Sequence, residues 1–128
     1  MTLQAIQAGV AVITRTIADA RFPYPDEATL QAALDGMLTS AGVGFRREFR
    51  LGGTSRDRID FLLDDGIGIE VKVDGSAPNL ARQVLRYVQH EEVQGLIVVT
   101  TRAKHQTIPN EAFGGKPGRV VFLLRSAL

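Results

Sequence analysis

The chain has 128 residues, 45% of them apolar, and a formal net charge of +1, enough for one domain with a real core and too little for two. It contains no cysteine, which excludes a disulfide framework and a thiolate metal site. No basic-then-apolar leader pattern opens it and no apolar run approaches a membrane span, so the sequence reads as a soluble cytoplasmic protein with no membrane partner.

Residues 2–20 read as a helix, with Leu3, Ile6, Val10, Ile13 and Ile17 spaced three and four apart. The stripe is heptad-like but spans too few heptads to stand alone. It is expected to pack on the domain, with a homodimer through this helix as the rival. Phe22-Pro23-Tyr24-Pro25 breaks the helix. Asp26 reads as the cap of a second helix running to about Ser40 and ended by Ala41-Gly42, with Leu30, Leu34, Met37 and Leu38 on its apolar face. Glu27 shares that face in the first turn, where the helix macrodipole alone would also favour an acid. Position does not separate a functional Glu27 from an electrostatic one.

Residues 44–51 read as a strand in which Phe45, Arg47, Phe49 and Leu51 alternate with Arg46, Glu48 and Arg50. Gly52-Gly53-Thr54-Ser55 is a loop. It leads into the stretch that organises the chain, Arg58 to Val73. Ile59, Phe61 and Leu63 alternate on one arm, Ile67, Ile69, Val71 and Val73 on the other, and Asp64-Asp65-Gly66 is turn chemistry. A two-residue loop would set Asp60 opposite Val71 and Phe61 opposite Glu70, mixing polar with apolar. A three-residue loop, with Gly66 in the left-handed position of a type I turn plus bulge, sets Leu63 opposite Ile67, Phe61 opposite Ile69 and Ile59 opposite Val71. Only that register keeps one face apolar, because a one-residue slip flips every side chain.

The same register sets Asp60 opposite Glu70, with Cβ atoms roughly 4.5–5.5 Å apart. Lys72 follows about 6.6 Å further along the same face. Two facing carboxylates require a positive charge between them. Lys72 is one candidate; a divalent cation, which takes carboxylate oxygens as ligands, is the other.

After Asp74-Gly75-Ser76 a third helix is expected from Ala77 or Pro78 to Glu92. Leu80, Val84, Tyr87 and Val88 form its buried stripe, Gln83 and Tyr87 stand one turn apart, and Arg82 and Arg86 make a parallel basic row. Gly95 opens a short apolar strand, residues 96–100, that reads as buried on both faces. Residues 101–118 read as a long polar loop, His90 and His105 as surface residues, and residues 120–124 as a last strand. Helix, helix, three strands, helix, strand, strand is an α/β order with a mixed sheet. Five acids in residues 60–75 lie between five arginines in residues 44–59 and five basic residues in 102–128. That distribution suits a metal-dependent enzyme acting on a polyanion.

In these residues the chain resembles the PD-(D/E)xK phosphodiesterase superfamily, over roughly residues 26–100. The motif residues are Asp60, then Glu70-Val71-Lys72 after nine intervening residues, then Gln83-Val84-Leu85-Arg86-Tyr87, which looks like the QxxxY motif of the RecB-like branch. The resemblance implies a restriction-endonuclease-like core (αβββαβ), a central mixed β-sheet flanked by helices within residues 26–124. Residues 1–22 would be an N-terminal helical extension of a single domain. It implies that Asp60, Glu70 and the backbone carbonyl of Val71 hold Mg²⁺ or Mn²⁺, with Glu27 acting through water. Lys72 would orient or activate the attacking water or steady the phosphate, and Gln83 and Tyr87 would position substrate or the lysine. Ile59 stands where the superfamily's name has proline. No histidine lies on a first helix, a place Glu27 can fill.

The implied activity is metal-dependent hydrolysis of DNA phosphodiester bonds, with Arg46, Arg50, Arg56, Arg58, Arg82 and Arg86 along the DNA backbone. Two other readings stay open. One is a catalytically silent nuclease-like module for DNA binding or interaction within a larger assembly. The other is an interaction domain whose first helix is the functional part.

Overall fold

The structure, a computed structural model, describes residues 1–20, 26–53 and 56–123. The Phe22–Pro25 helix break, Thr54 and Ser55 of the glycine loop, and Leu124 of the last strand lie outside the described residues. Each helix begins at a side-chain cap that satisfies an otherwise orphaned N–H. Helix α1 (Leu3–Asp19) is capped by the Thr2 hydroxyl, which accepts from Ala5 N at 3.1 Å. Helix α2 (Glu27–Ser40) is capped by Asp26, which accepts from Thr29 N at 2.7 Å. Helix α3 (Ala77–Val88) is capped by Ser76, and Pro78 sits in its first turn, where a missing N–H breaks no bond.

Five strands, β1 (Phe45–Arg50), β2 (Arg58–Leu63), β3 (Ile67–Lys72), β4 (Gly95–Thr100) and β5 (Gly118–Phe122), form one sheet in that order. The β1–β2 and β2–β3 pairs are antiparallel, and the β3–β4 and β4–β5 pairs are parallel. The class is α/β with a mixed sheet, as expected. On one face α1 and α2 enclose a core of Ile6, Val10, Ile17, Leu30, Leu34 and Leu38 against Phe61, Ile69, Val71 and Val99. On the other, Leu80, Val84, Tyr87 and Val88 of α3 pack on Ile59, Leu96 and Val98. Among the described residues no helix is long and apolar enough to cross a membrane.

The stripe on α1 is occupied by the chain's own sheet, with Ile6, Val10 and Ile17 buried. Only Leu3, at 58% exposure, leaves the stripe for solvent. Packing on the domain, the first of the two expected uses of the stripe, is thus what Ile6, Val10 and Ile17 do.

The central hairpin has the expected three-residue loop. Gly66 N donates to Leu63 O at 2.9 Å, Gly66 takes φ +90°, and Phe61 pairs with Ile69. One expected feature fails. Ile59 does not share a face with Phe61 and Leu63, because it packs in the α3 core while they pack in the other. Strand β1 changes face at the same level, with Phe45 on the α1–α2 side and Phe49 on the α3 side. Two causes are visible. Glu48, in register between Arg47 and Phe49, has φ +50°, a left-handed conformation that breaks the alternation. Gly68 has no side chain, and a Cβ there would lie 2.3 Å from Ile59 Cδ1. The tip of Ile59 fills that space.

Three other boundaries move. Helix α3 stops at Val88 rather than Glu92, and the chain turns as Gln89 N and His90 N bond back to Arg86 O and Tyr87 O. Fully buried Val93 and a 2.6 Å bond from Gly52 N to Glu92 Oε1 hold this end down. The supposed polar loop contains 3₁₀ turns at Ala103–Thr107 and Asn110–Phe113, with Ile108, Ala112 and Phe113 buried. The last strand starts at Gly118 and ends at Phe122, two residues earlier than expected.

Candidate functional site

The irregular level of the sheet is where Asp60 lies. Pairing of β2 with β1 lapses between Arg47↔Phe61 and Phe49↔Ile59, and pairing with β3 stops at Phe61↔Ile69. In place of backbone carbonyls the two carboxylates accept the local N–H groups. Asp60 N donates to Glu70 Oε1 at 3.0 Å, and Val71 N donates to Asp60 Oδ2 at 2.8 Å. Each acid is thus fastened to the other's strand through one of its two oxygens. Lys72 Nζ stands 3.6 Å from the other Glu70 oxygen, Oε2. The predicted juxtaposition of Asp60, Glu70 and Lys72 is present.

Burial sets the electrostatics. Glu70 is only 4% exposed, and burial first, then the charge of Asp60, pushes its carboxyl up to about 8. Burial also raises Asp60, moderated by the Val71 N–H, by a hydrogen bond with Glu70, and by Lys72 and Arg47 nearby. The pair shares a proton more readily than it holds two negative charges, and Lys72 alone does not restore full ionisation. Glu27, half-buried in the first turn of α2, is raised by its own burial and then by Asp60. It lies within electrostatic reach of the pair. However, among the described residues no three His, Cys, Asp or Glu side chains gather closely enough to hold a metal ion. The site is a pair of carboxylates with a third acid at a distance.

Helix α3 supplies the next members. Gln83 Nε2 donates to Tyr87 Oη at 2.9 Å, and Tyr87 Oη donates to Arg58 O at 3.0 Å. Burial, with Glu70 next, raises the Tyr87 phenol, so it stays a neutral donor. Its bond to Arg58 O ties α3 to β2 two residues before Asp60. The Val71 side chain is buried in the opposite core.

No family model matches the chain, and neither does any curated protein or solved structure.

The arginines divide around α3. Arg50, Arg56, Arg58 and Arg86 surround a hollow of about 500 Å³ with Gln83 and Tyr87. A second hollow of about 360 Å³ lies towards the start of α3 and is lined by Lys72, Asn79, Arg82, Gln83 and Arg86. The two share Gln83 and Arg86. Arg46 lines neither and sits over the Phe49 ring, 5.7 Å from its centroid. Arg86 is engaged by Asp57 at 3.1 Å, which also meets His90 Nε2 at 3.0 Å. Burial works to raise Asp57, but the hydrogen bonds from His90 and Arg86 outweigh it and hold the carboxyl low.

Sequence reasoning missed this Asp57–Arg86–His90 group and misplaced both histidines. His90 is half-buried against Asp57, and His105 is fully buried. The Asp57 partner of His90 lies 33 residues away in sequence and the Gly75 partner of His105 lies 30 away, with Thr100 five residues before His105 as its nearer partner, so no short pattern marks the pair of contacts.

The donor set suits a hard divalent cation. Mg²⁺ keeps several waters and takes one or two protein carboxylates. Two are present here, each bonded to a backbone N–H through one of its two oxygens, and the raised carboxyls are what a cation would return to the ionised form.

Proposed function

We propose that the chain is a metal-dependent nuclease hydrolysing DNA phosphodiester bonds, with the arrangement of the PD-(D/E)xK superfamily and its restriction-endonuclease-like core over residues 26–124. One observation carries the reading: in mid-sheet the Glu70 carboxylate accepts from Asp60 N and the Asp60 carboxylate accepts from Val71 N, with Lys72 3.6 Å from Glu70. A sheet has no structural need of two facing carboxylates where backbone pairing would otherwise continue, and like charges directly opposed are destabilising.

In this reading Asp60 and Glu70 hold Mg²⁺ or Mn²⁺ inside, Val71 lends its carbonyl, and Glu27 acts through water. The bound ion would neutralise charge developing on the phosphate and make a nucleophile from water. Lys72 adds a fixed positive charge against the attacked phosphate, beside the carboxylates it does not ligate with. Gln83 and Tyr87 keep α3 and Lys72 in register with β2. Arg50, Arg56, Arg58, Arg82 and Arg86 hold successive phosphates along the two hollows, with little dependence on sequence.

Cleavage of plasmid, linear and single-stranded DNA with Mg²⁺ or Mn²⁺, with and without chelator, tests the reading. Cutting that disappears with chelator and in Asp60→Ala supports it. Metal-independent cutting, or unchanged Mn²⁺ binding in Asp60→Ala, refutes the site. DNA bound but never cut by a protein that does bind Mn²⁺ would favour a silent nuclease-like module.

A further inference from the structure

The turn that follows Lys72 is held from behind by a buried imidazole. His105 is 0% exposed and uses both ring nitrogens. Nε2 lies 2.8 Å from Gly75 O, and Nδ1 lies 2.6 Å from Thr100 Oγ1. A carbonyl oxygen can only accept, so Nε2 carries the proton, and the bare Nδ1 accepts from the threonine hydroxyl. Thr100, itself fully buried, in turn accepts from Arg102 N at 3.0 Å. Every polar atom of the group is therefore matched.

The neighbouring bonds point the same way. Thr101 N donates to Lys72 O at 3.2 Å, and Arg102 Nε donates to Val73 O at 3.0 Å. Thus the carbonyls of Lys72, Val73 and Gly75 all receive donors from residues 101–105, the segment leaving β4. Between Lys72 and the Ser76 cap of α3 there are only three residues, and Gly75 holds φ +91°. A fixed Gly75 carbonyl fixes where α3 begins relative to the end of β3. The 360 Å³ hollow lined by Lys72, Arg82, Gln83 and Arg86 opens over this turn. Tyr87 fastens the other end of the helix to β2.

We propose that His105 is a positioning residue for this site. As a strut between β4 and Gly75, it sets the distance between Lys72 and the Gln83–Arg86 row of α3. The inference rests on the nuclease reading for its kinetic consequence, though not for its structural one. A buried histidine used only for filling could be replaced by an apolar residue of similar size without effect on the site. A strut could not, because the donor to Gly75 O would be gone.

His105→Leu keeps the bulk and removes both hydrogen bonds, whereas His105→Gln can return an N–H donor to Gly75 O. We expect His105→Leu to shift the backbone amide resonances of Val73 to Asn79 in the metal-free full chain. It should lower kcat by about tenfold to a hundredfold, the scale of a misplacement of roughly 1 Å. Mn²⁺ affinity should stay unchanged, because Asp60 and Glu70 are held by other bonds. His105→Gln should bring the resonances and kcat most of the way back. A leucine variant that folds with wild-type kcat and unshifted Val73–Asn79 amides overturns the strut, as does a glutamine variant that recovers stability but neither readout. If the leucine variant does not fold, Thr100→Val carries the test, and unchanged Gly75 and Ser76 resonances there count against the proposal. A wild-type chain that cuts no DNA sinks the nuclease reading alone, since the resonance shifts still decide the role of His105.

Discussion

In the absence of divalent cations, Glu70→Gln should make the protein more stable at alkaline pH and change little in acid. The folded-state carboxyl is raised from an ordinary 4.5 to about 8. A raised group contributes stability that is fully present below its unfolded value and is lost as pH rises through its folded value. Metal-free wild type should therefore weaken between about pH 5 and pH 9, and the glutamine variant should be spared that loss. With each tenfold change in proton affinity worth roughly 1.4 kcal/mol, the whole shift sets an upper limit of about 5 kcal/mol. Asp60 titrates with Glu70 and takes part of that sum, so we expect a difference on the order of 2–4 kcal/mol at alkaline pH.

Urea unfolding of both proteins in chelator at about pH 5, pH 7 and pH 9 reads the difference, because the titrating groups other than Asp60, which is coupled to Glu70, cancel between them. Added Mn²⁺ should then restore the wild type at alkaline pH and do little for the variant. Parallel stability curves for the two proteins across that range would falsify the account of a destabilising buried pair. A wild type that Mn²⁺ does not stabilise would remove the metal from it.

Three further outcomes follow from the same geometry. Lys72→Ala should keep or slightly strengthen Mn²⁺ binding, since a neighbouring positive charge is removed, yet lose cleavage by on the order of a hundredfold or more; near wild-type cutting would reduce Lys72 to a counter-charge. Charge reversal of Arg50 and Arg56 together should weaken DNA binding at low salt and flatten its salt dependence, and an unchanged slope would show the hollow to be only a solvated surface. Removing residues 1–20 should abolish cooperative thermal unfolding, because Ile6, Val10 and Ile17 leave the core at roughly 1.5–3 kcal/mol each against a typical domain stability of about 5–15 kcal/mol. A shortened chain that melts like the intact one would show α1 to be an accessory after all.

What was legible in the sequence was what local pattern and turn chemistry determine. Gly66 selects the loop length, the loop length selects the register, and the register brings Asp60 to Glu70. The spacing of Gln83 and Tyr87 likewise places them one turn apart on a capped helix. What was not legible depends on contacts distant in sequence. Ile59 leaves the expected face because Gly68, on the neighbouring strand, vacates the space for it. Helix α3 ends early because Val93 is anchored in the core and Glu92 is taken by Gly52 N, 40 residues away. His105 lies in a stretch rich in charge, glycine and proline that reads as exposed, and is buried by Gly75 and Thr100. Nothing in the alternation of β1 announces that Glu48 will adopt a left-handed backbone.

That left-handed residue has a consequence for how the molecule behaves in company. Strand β1 is one border of the sheet, and an unpaired border is a template on which another chain can add a strand and begin to aggregate. The six residues of β1 would offer such a template if they ran straight. Glu48 bends the run in its middle, and Arg46 and Arg50 add positive charge along it, while Arg47 is paired with Asp35. The irregularity that frees Asp60 from its ladder also interrupts the outer edge, the kind of break that makes an edge a poorer template for a neighbouring strand.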